Sequence, residues 1–381
     1  MWFPYSYRKD LSPEQQRQQA RLRQKMEPLV EIMQVKGDSE CRNGIPSVLG
    51  SADEFCDFEK LRESEEAAEY CGEEFGSGNM RLVGCISRFS FARYALTEGL
   101  AEQEKLGVNP FKMGIIAATD NHNGAPAAGR ERGHMGANGP DRNVSNRLRG
   151  GVEVPGGIAK GSPVRYNPGG VAGVWASENS RQALFQAMRR RESFGTSGPR
   201  IEPRFFGGWQ FDPQLCEDPE RLQKAYRDGV PMGADLPPAS RVESAPHFLV
   251  SATSDHNSYL LQRIQVVKGW VDDQGNTHQQ VYDVAGNPDN AATVDTHSCD
   301  VRGNGYRQLC RVWQDPDFDP ARSAVYYSRV LENPSCRWST WQGNALPEGE
   351  RPGSCSDPAV PKVIQERAWT SPIWYTAAAL D

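Results

Sequence analysis

Residues 112–124 read KMGIIAATDNHNG, and the order of residue types here decides how the rest of the chain is laid out. Met113 to Ala118 is a short apolar run bounded by breakers, the pattern of a strand buried on both faces in a parallel sheet. Polar residues begin at once beyond it, so Asp120 and His122 fall just past the strand's C-terminal end. Side chains alternate along extended backbone, so residues two apart point the same way. A carboxylate and an imidazole delivered together are ordinary ligands for a divalent metal such as Zn, Mn or Fe. Strand ends of this kind carry the chemistry in α/β barrels. The plainer alternative is an Asx turn, with Asp120 binding backbone and His122 exposed; the buried strand before it and the glycines after it favour the metal.

Working upstream, Phe89, Ala92, Leu96 and Leu100 recur at helical spacing within a helix from about Ser87 to Leu106, stopped by Gly107. Ser51 reads as the cap of a short helix over ADEFCDFEKL. Before these lies PLVEIMQV (28–35), a buried strand carrying one carboxylate, Glu31. A charge among such neighbours is costly unless it is paired or binds something. The loop KGDSE that leaves this strand ends at Glu40, a further candidate ligand. Ser12 followed by Pro13 starts a polar helix that runs to about Met26.

Downstream, residues 121–170 are glycine-rich and loop-like, and a loop of that length is expected to act as a lid or to lack fixed structure. His134 lies within it, placed to swing over the site as a ligand or general acid. GGVAGVWA (169–176) then reads as a strand, and Asn179 as the cap of the helix SRQALFQAMRRR. Beyond residue 200 the segments RFFGGW, HFLVSA, QRIQVVKGW, QQVYDVA, SAVYYSRVL and SPIWYTA are short, aromatic or β-branched, and separated by turn residues. They predict antiparallel β-structure, such as a sandwich. The reading is therefore an α/β domain over 1–200 followed by a β-rich domain over 201–381.

The bulk numbers fit a globular chain: 381 residues, 38% hydrophobic, 24% charged. A net charge of −6 gives no attraction to nucleic acid or anionic lipid. No apolar stretch approaches the roughly 20 residues that span a bilayer, and the opening MWFPYSYRKD is not an export signal. Nine cysteines nonetheless suggest an oxidising compartment, with four disulfides and one thiol left over. Cys299 with Cys310 and Cys336 with Cys355 are the expected local pairs. Three other patterns carry less. Asp255-His256-Asn257 reads as a turn. Asp315, Asp317 and Asp319 lack the glycine and final glutamate of a calcium loop. Gly195-Thr196-Ser197-Gly198 lacks the spacing of a nucleophile elbow.

Together, GIIAATDNHNG, GGVAGVWASENSRQALFQAMRRRESFGTSGPRI, RVLENPSCRWST and ERAWTSPIWY resemble a bacterial domain-of-unknown-function family distantly related to the PHP (polymerase and histidinol phosphatase) metallohydrolases. The resemblance implies a partial or distorted PHP-type β/α barrel, divalent metals at its C-terminal face, and hydrolysis of a small-molecule ester, foremost a phosphoester. It maps the family's Asp-x-His motif onto Asp120 and His122, Glu31 onto a glutamate of an earlier strand, and Glu40 onto a further ligand. PHP proteins also open with a His-x-His strand, whereas no histidine here precedes His122. The chain is accordingly read as lacking the first metal motifs, by N-terminal truncation or by degeneration, and the full-length form as periplasmic or secreted. The competing expectation is a non-catalytic binding protein built on the β-rich region, with Trp209, Trp338 and Trp374 as platforms.

Overall fold

A computed structural model describes residues 11–46, 48–60, 70–71, 85–124, 129–137, 143–150, 153–154, 157–158, 163–238 and 244–377. Helix α1 (Pro13–Met26) starts as expected: Ser12 accepts from the Gln15 amide while the Gln15 side chain accepts from the Ser12 amide, a complete capping box. Helix α2 (Ala92–Leu106) ends at Gly107. The remaining helices are α3 (Val144–Arg147), α4 (Arg181–Arg189), α5 (Arg221–Asp228) and α6 (Trp338–Asn344). Helix α4 is capped by Ser180, whose hydroxyl accepts from the Ala183 amide, one residue later than the expected Asn179. The helix expected after Ser51 is absent: residues 54–59 are turns. Asp53 accepts from the Phe55 amide at 2.9 Å and from two arginines, and the chain continues as turns rather than a helix.

Strand β1 (Leu29–Gln34) pairs in parallel with β4 (Gly114–Ala117) and antiparallel with β2 (Gly37–Asp38). Both long apolar runs are therefore neighbours, as their buried character required. Two larger sheets follow. A four-stranded antiparallel sheet contains 202–208, 230–231, 247–253 and 308–314. An eight-stranded sheet is ordered β3 (Val48–Gly50), 277–286, 261–271, 324–332, 367–370, 193–196 and 171–174, with 373–375 also paired to 324–332.

The strand Ala324–Glu332 shows how the layers stack. Ala324, Tyr326 and Val330 face a core shared with Phe205, Phe248 and Val250 of the four-stranded sheet. Val325 and Tyr327, alternating with them, face Leu96 and Leu100 of α2 and Ile115 of β4. The large sheet is thus the middle layer, buried on both sides. The C-terminal region is β-rich, as expected. The fold is mixed α/β with several sheets, and no closed barrel occurs among the described residues. Pairing runs across residue 200, since 193–196 joins 367–370.

The two sides of that middle layer are tied by buried charge. Glu40, fully buried, accepts from Arg93 (2.5 Å), Tyr327 (2.6 Å), Trp369 (2.7 Å) and Arg329 (3.1 Å). Asp53 accepts from the same two arginines at 2.7 and 2.9 Å. Burial alone would raise the Glu40 carboxyl, but Arg329 and Arg93 overcome it and bring it down to about 2. Four disulfides add to this frame: Cys41–Cys56, Cys71–Cys85, Cys216–Cys310 and Cys299–Cys336, with Cys355 free. The expected pairs of Cys299 with Cys310 and Cys336 with Cys355 are corrected. Cys310 points to the face of its sheet that packs Phe206 and Leu249, where Cys216 also lies.

Removing one member of a buried ion network leaves its partners charged and unpaired, at a cost of about 3–5 kcal/mol. Glu40→Ala is expected to lose stability of that order in urea unfolding, and Glu14→Ala on α1 to lose little. Because the Glu40 carboxyl is depressed, its contribution is present above the ordinary glutamate value and fades as pH falls toward about 2.

Candidate functional site

The parallel register of β1 and β4 continues past both strands. Ala118 donates to Met33 O at 3.0 Å and Val35 to Thr119 O at 2.9 Å. Segment 167–170 lies alongside, with Asn167 donating to Val35 O and Gly170 to Ala118 O. Gly169 is needed there: it sits at φ +80°, and a Cβ would come within 2.6 Å of Thr119 Cα. This close backbone approach walls one side of the strand end.

Asp120 follows with φ +47°, a left-handed conformation that Asp tolerates but most residues avoid. His122 is fixed by its main chain, its amide donating to Ala137 O at 2.7 Å, and Asn123 Nδ2 donates to Gly136 O at 3.1 Å. The two side chains converge in solvent: His122 Nε2 lies 3.8 Å from Asp120 Oδ1, with 69% and 47% exposed. Two donors on one divalent ion, each at about 2.1 Å, stand at most about 4.2 Å apart. The pair lies inside that limit but is wider than the roughly 3.4 Å between neighbouring ligands of a tetrahedral ion, so the two side chains would have to close slightly to share one.

Glu31, the candidate from β1, lies within electrostatic reach of Asp120. Burial first, and then the Asp120 charge, raise its carboxyl above the usual range, with a hydrogen bond from Gln34 opposing. Lys36 lies in the same field; burial brings its ammonium down to about 8, against the attraction of Asp38, Glu31 and Asp120. Among the described residues no third carboxylate, imidazole or thiol joins Asp120 and His122 in one close set. The set that does form is Cys41, Asp53 and Cys56; its sulfurs form a disulfide and its carboxylate holds two arginines. Glu31 thus acts on Asp120 through its charge and forms no close set with the pair. Glu40 lies elsewhere, with both oxygens occupied by the arginine network.

His134 does not swing over the strand end. It is 5% exposed, its ring 4.5 Å from that of Trp338, and its carbonyl accepts from Gln342 at 2.7 Å. Burial, then Arg337 and Arg147, pull the imidazole down to about 3, so it is neutral at physiological pH. Trp338 and Trp374 are fully buried and serve as core rather than platforms; Trp209 is half-buried and donates to Pro237 O. Asp255 caps a turn, accepting from the amides of Arg200 and Asn257, and Asp315 holds Lys268 and Tyr326.

Sequence reading missed a pocket of buried acids. Glu131 accepts from the Trp338 amide, Glu332 from Ser258 at 2.6 Å, and Glu366 from Ser197. Glu332 and Glu366 also share a main-chain bond, Glu332 N to Glu366 O at 2.9 Å. Burial lifts Glu131 and Glu332 to about 8 and raises Glu366 as well. Glutamates set among aromatic strand residues, in RVLENPS and ERAWTS, were the available signal.

The family described as Protein of unknown function (DUF3604) matches residues 3–377. The chain belongs to DUF3604. No curated protein matches it. The Asp120–His122 pair at the end of β4 is one exposed carboxylate–imidazole pair of this DUF3604 chain; Asp295 and His297 form another, 3.7 Å apart, and what sets the first apart is its place at the end of a parallel strand.

The acid pocket makes stability depend on pH with a definite sign. The unfolded chain ionises these glutamates near 4.5, while the folded chain keeps Glu131 and Glu332 protonated to about 8. Tm is expected to fall as pH rises from about 5 to 8. Differential scanning fluorimetry should show a flatter slope for Glu131→Gln combined with Glu332→Gln; an unaltered slope would contradict the assignment.

Proposed function

We propose that this DUF3604 chain is a metal-dependent hydrolase acting on a small-molecule ester, in the first place a phosphoester. The observation that carries the reading is the Asp120–His122 pair, brought to 3.8 Å at the end of a parallel strand by a left-handed backbone at Asp120. Non-glycine residues in that conformation concentrate at functional sites. A bound divalent ion would supply a Lewis acid and a water acidified enough to attack near neutral pH.

The chain's own residues divide the remaining tasks. Asp120 offers a carboxylate oxygen and His122 the Nε2 lone pair, and both reach solvent where a substrate can approach. Glu31 adds negative charge within reach of Asp120 and so favours a cation at this point over bulk water. Lys36 limits that charge and keeps the carboxylates from repelling one another apart. His134, neutral and packed on Trp338, takes no part in this proposal. Four disulfides are consistent with an extracellular location, and no helix among the described residues is long and apolar enough to cross a membrane. The proposed setting is therefore periplasmic or extracellular.

Titration calorimetry with Mn2+ or Zn2+, alongside hydrolysis of bis(p-nitrophenyl) phosphate and p-nitrophenyl acetate, tests the reading. Wild type should bind the ion and show chelator-sensitive turnover. Asp120→Ala and His122→Ala should each weaken ion binding by at least about tenfold, with Tm held because both side chains are exposed. Binding that is absent in wild type, or as tight in both variants as in wild type, would remove the metal site and the hydrolase with it.

A further inference from the structure

Away from β4, a cleft of ≈360 Å³ lies between α6 and the segment 351–356. That volume falls in the range of small-molecule sites, and no residue of the Asp120–His122 site lines it. Its walls are held by hydrogen bonds. Asn344 Nδ2 donates to Thr296 O at 2.8 Å and to His297 O at 2.9 Å, fastening that turn to α6. Thr340 donates to Lys362 O at 2.7 Å, and Ser354 donates to Leu148 O. The cleft is therefore shaped before any ligand arrives, which lowers the cost of binding.

The lining is polarised. Leu148 and Val164 form an apolar floor, and Arg351 and Lys362 stand on the walls with Glu348 as the one carboxylate among the described lining residues. Neither cation is ion-paired among the described residues. Arg351 Nε donates to Leu346 O at 3.2 Å and Lys362 Nζ to Ser354 O at 3.1 Å. Guanidinium carries five donors and ammonium three, so most remain for a ligand. Cys355, the free thiol, borders the same space. Burial pushes its pKa up while Lys362 and Arg351 pull it down, which places both cations within electrostatic reach of the sulfur.

We propose that this cleft binds a small organic anion, with its apolar part on Leu148 and Val164 and its charge on Arg351 and Lys362. The proposal does not depend on the metal reading. Eight of the nine cysteines are in disulfides, so a thiol reagent reports on Cys355 alone. DTNB is an aromatic disulfide with two carboxylates, and dithiodipyridine is its neutral counterpart. Each reacts by thiolate attack on its disulfide, forming a mixed disulfide with Cys355 and releasing one aromatic thiolate.

In the native chain the rate ratio of DTNB to dithiodipyridine should exceed that of N-acetylcysteine by about tenfold, and the excess should shrink with salt. Millimolar benzoate should slow both reagents. Arg351→Gln combined with Lys362→Gln should return the ratio to that of N-acetylcysteine, since any loss of thiolate slows both reagents alike and cancels in the ratio. A native ratio no greater than that of N-acetylcysteine, together with no protection by benzoate, overturns the proposal. Should the double variant fail to fold, the benzoate titration of wild type decides alone: protection supports the site and its absence rejects it.

Discussion

Two carboxylates and two guanidinium groups, sealed from water between α2 and the eight-stranded sheet, form the interaction on which the rest of this structure depends. Glu40 and Asp53 would each be expelled from such a place if unpaired, and so would Arg93 and Arg329. Together they satisfy one another, with Tyr327, Trp369, Gln265 and Gln279 taking up further donors and acceptors. The network joins the loop after β2, the turn at Asp53, helix α2 and the middle sheet. Since β1 and β4 pack against that same helix and sheet, it also fixes where their C-terminal ends emerge.

That placement gives the candidate site its character. The strand end opens to solvent, and its polar residues are held by backbone bonds from neighbouring segments rather than by side-chain partners. Asp120 and His122 accordingly keep their side chains in solvent, whereas Glu40 is held by the arginines of the core. A second kind of acidity is found elsewhere, in Glu131, Glu332 and Glu366. These are enclosed and held protonated by burial, which for Glu131 outweighs the opposing charge of Arg337. The exposed pair meets solvent, whereas the enclosed glutamates are kept protonated by burial.

What the sequence disclosed follows the range of the forces concerned. Helices α1 and α2 and strands β1 and β4 were legible because caps and apolar runs are local. The position of Asp120 and His122 past a buried strand followed from the same local pattern. Glu40 looked like a loop residue because Arg329 and Trp369 lie 289 and 329 positions away. His134 looked mobile among glycines, yet the ring it packs on belongs to Trp338, far along the chain. Cysteine pairing failed likewise: Cys216 and Cys310 are 94 residues apart and meet because two elements pack on one face of a sheet.

The most direct measurement is anomalous diffraction at the manganese or zinc edge from crystals soaked in that ion. The account predicts a peak between Asp120 and His122, within about 2.3 Å of an Asp120 carboxylate oxygen and of His122 Nε2. A map with no peak there, or with its peak among Glu131, Glu332 and Glu366 instead, would contradict it.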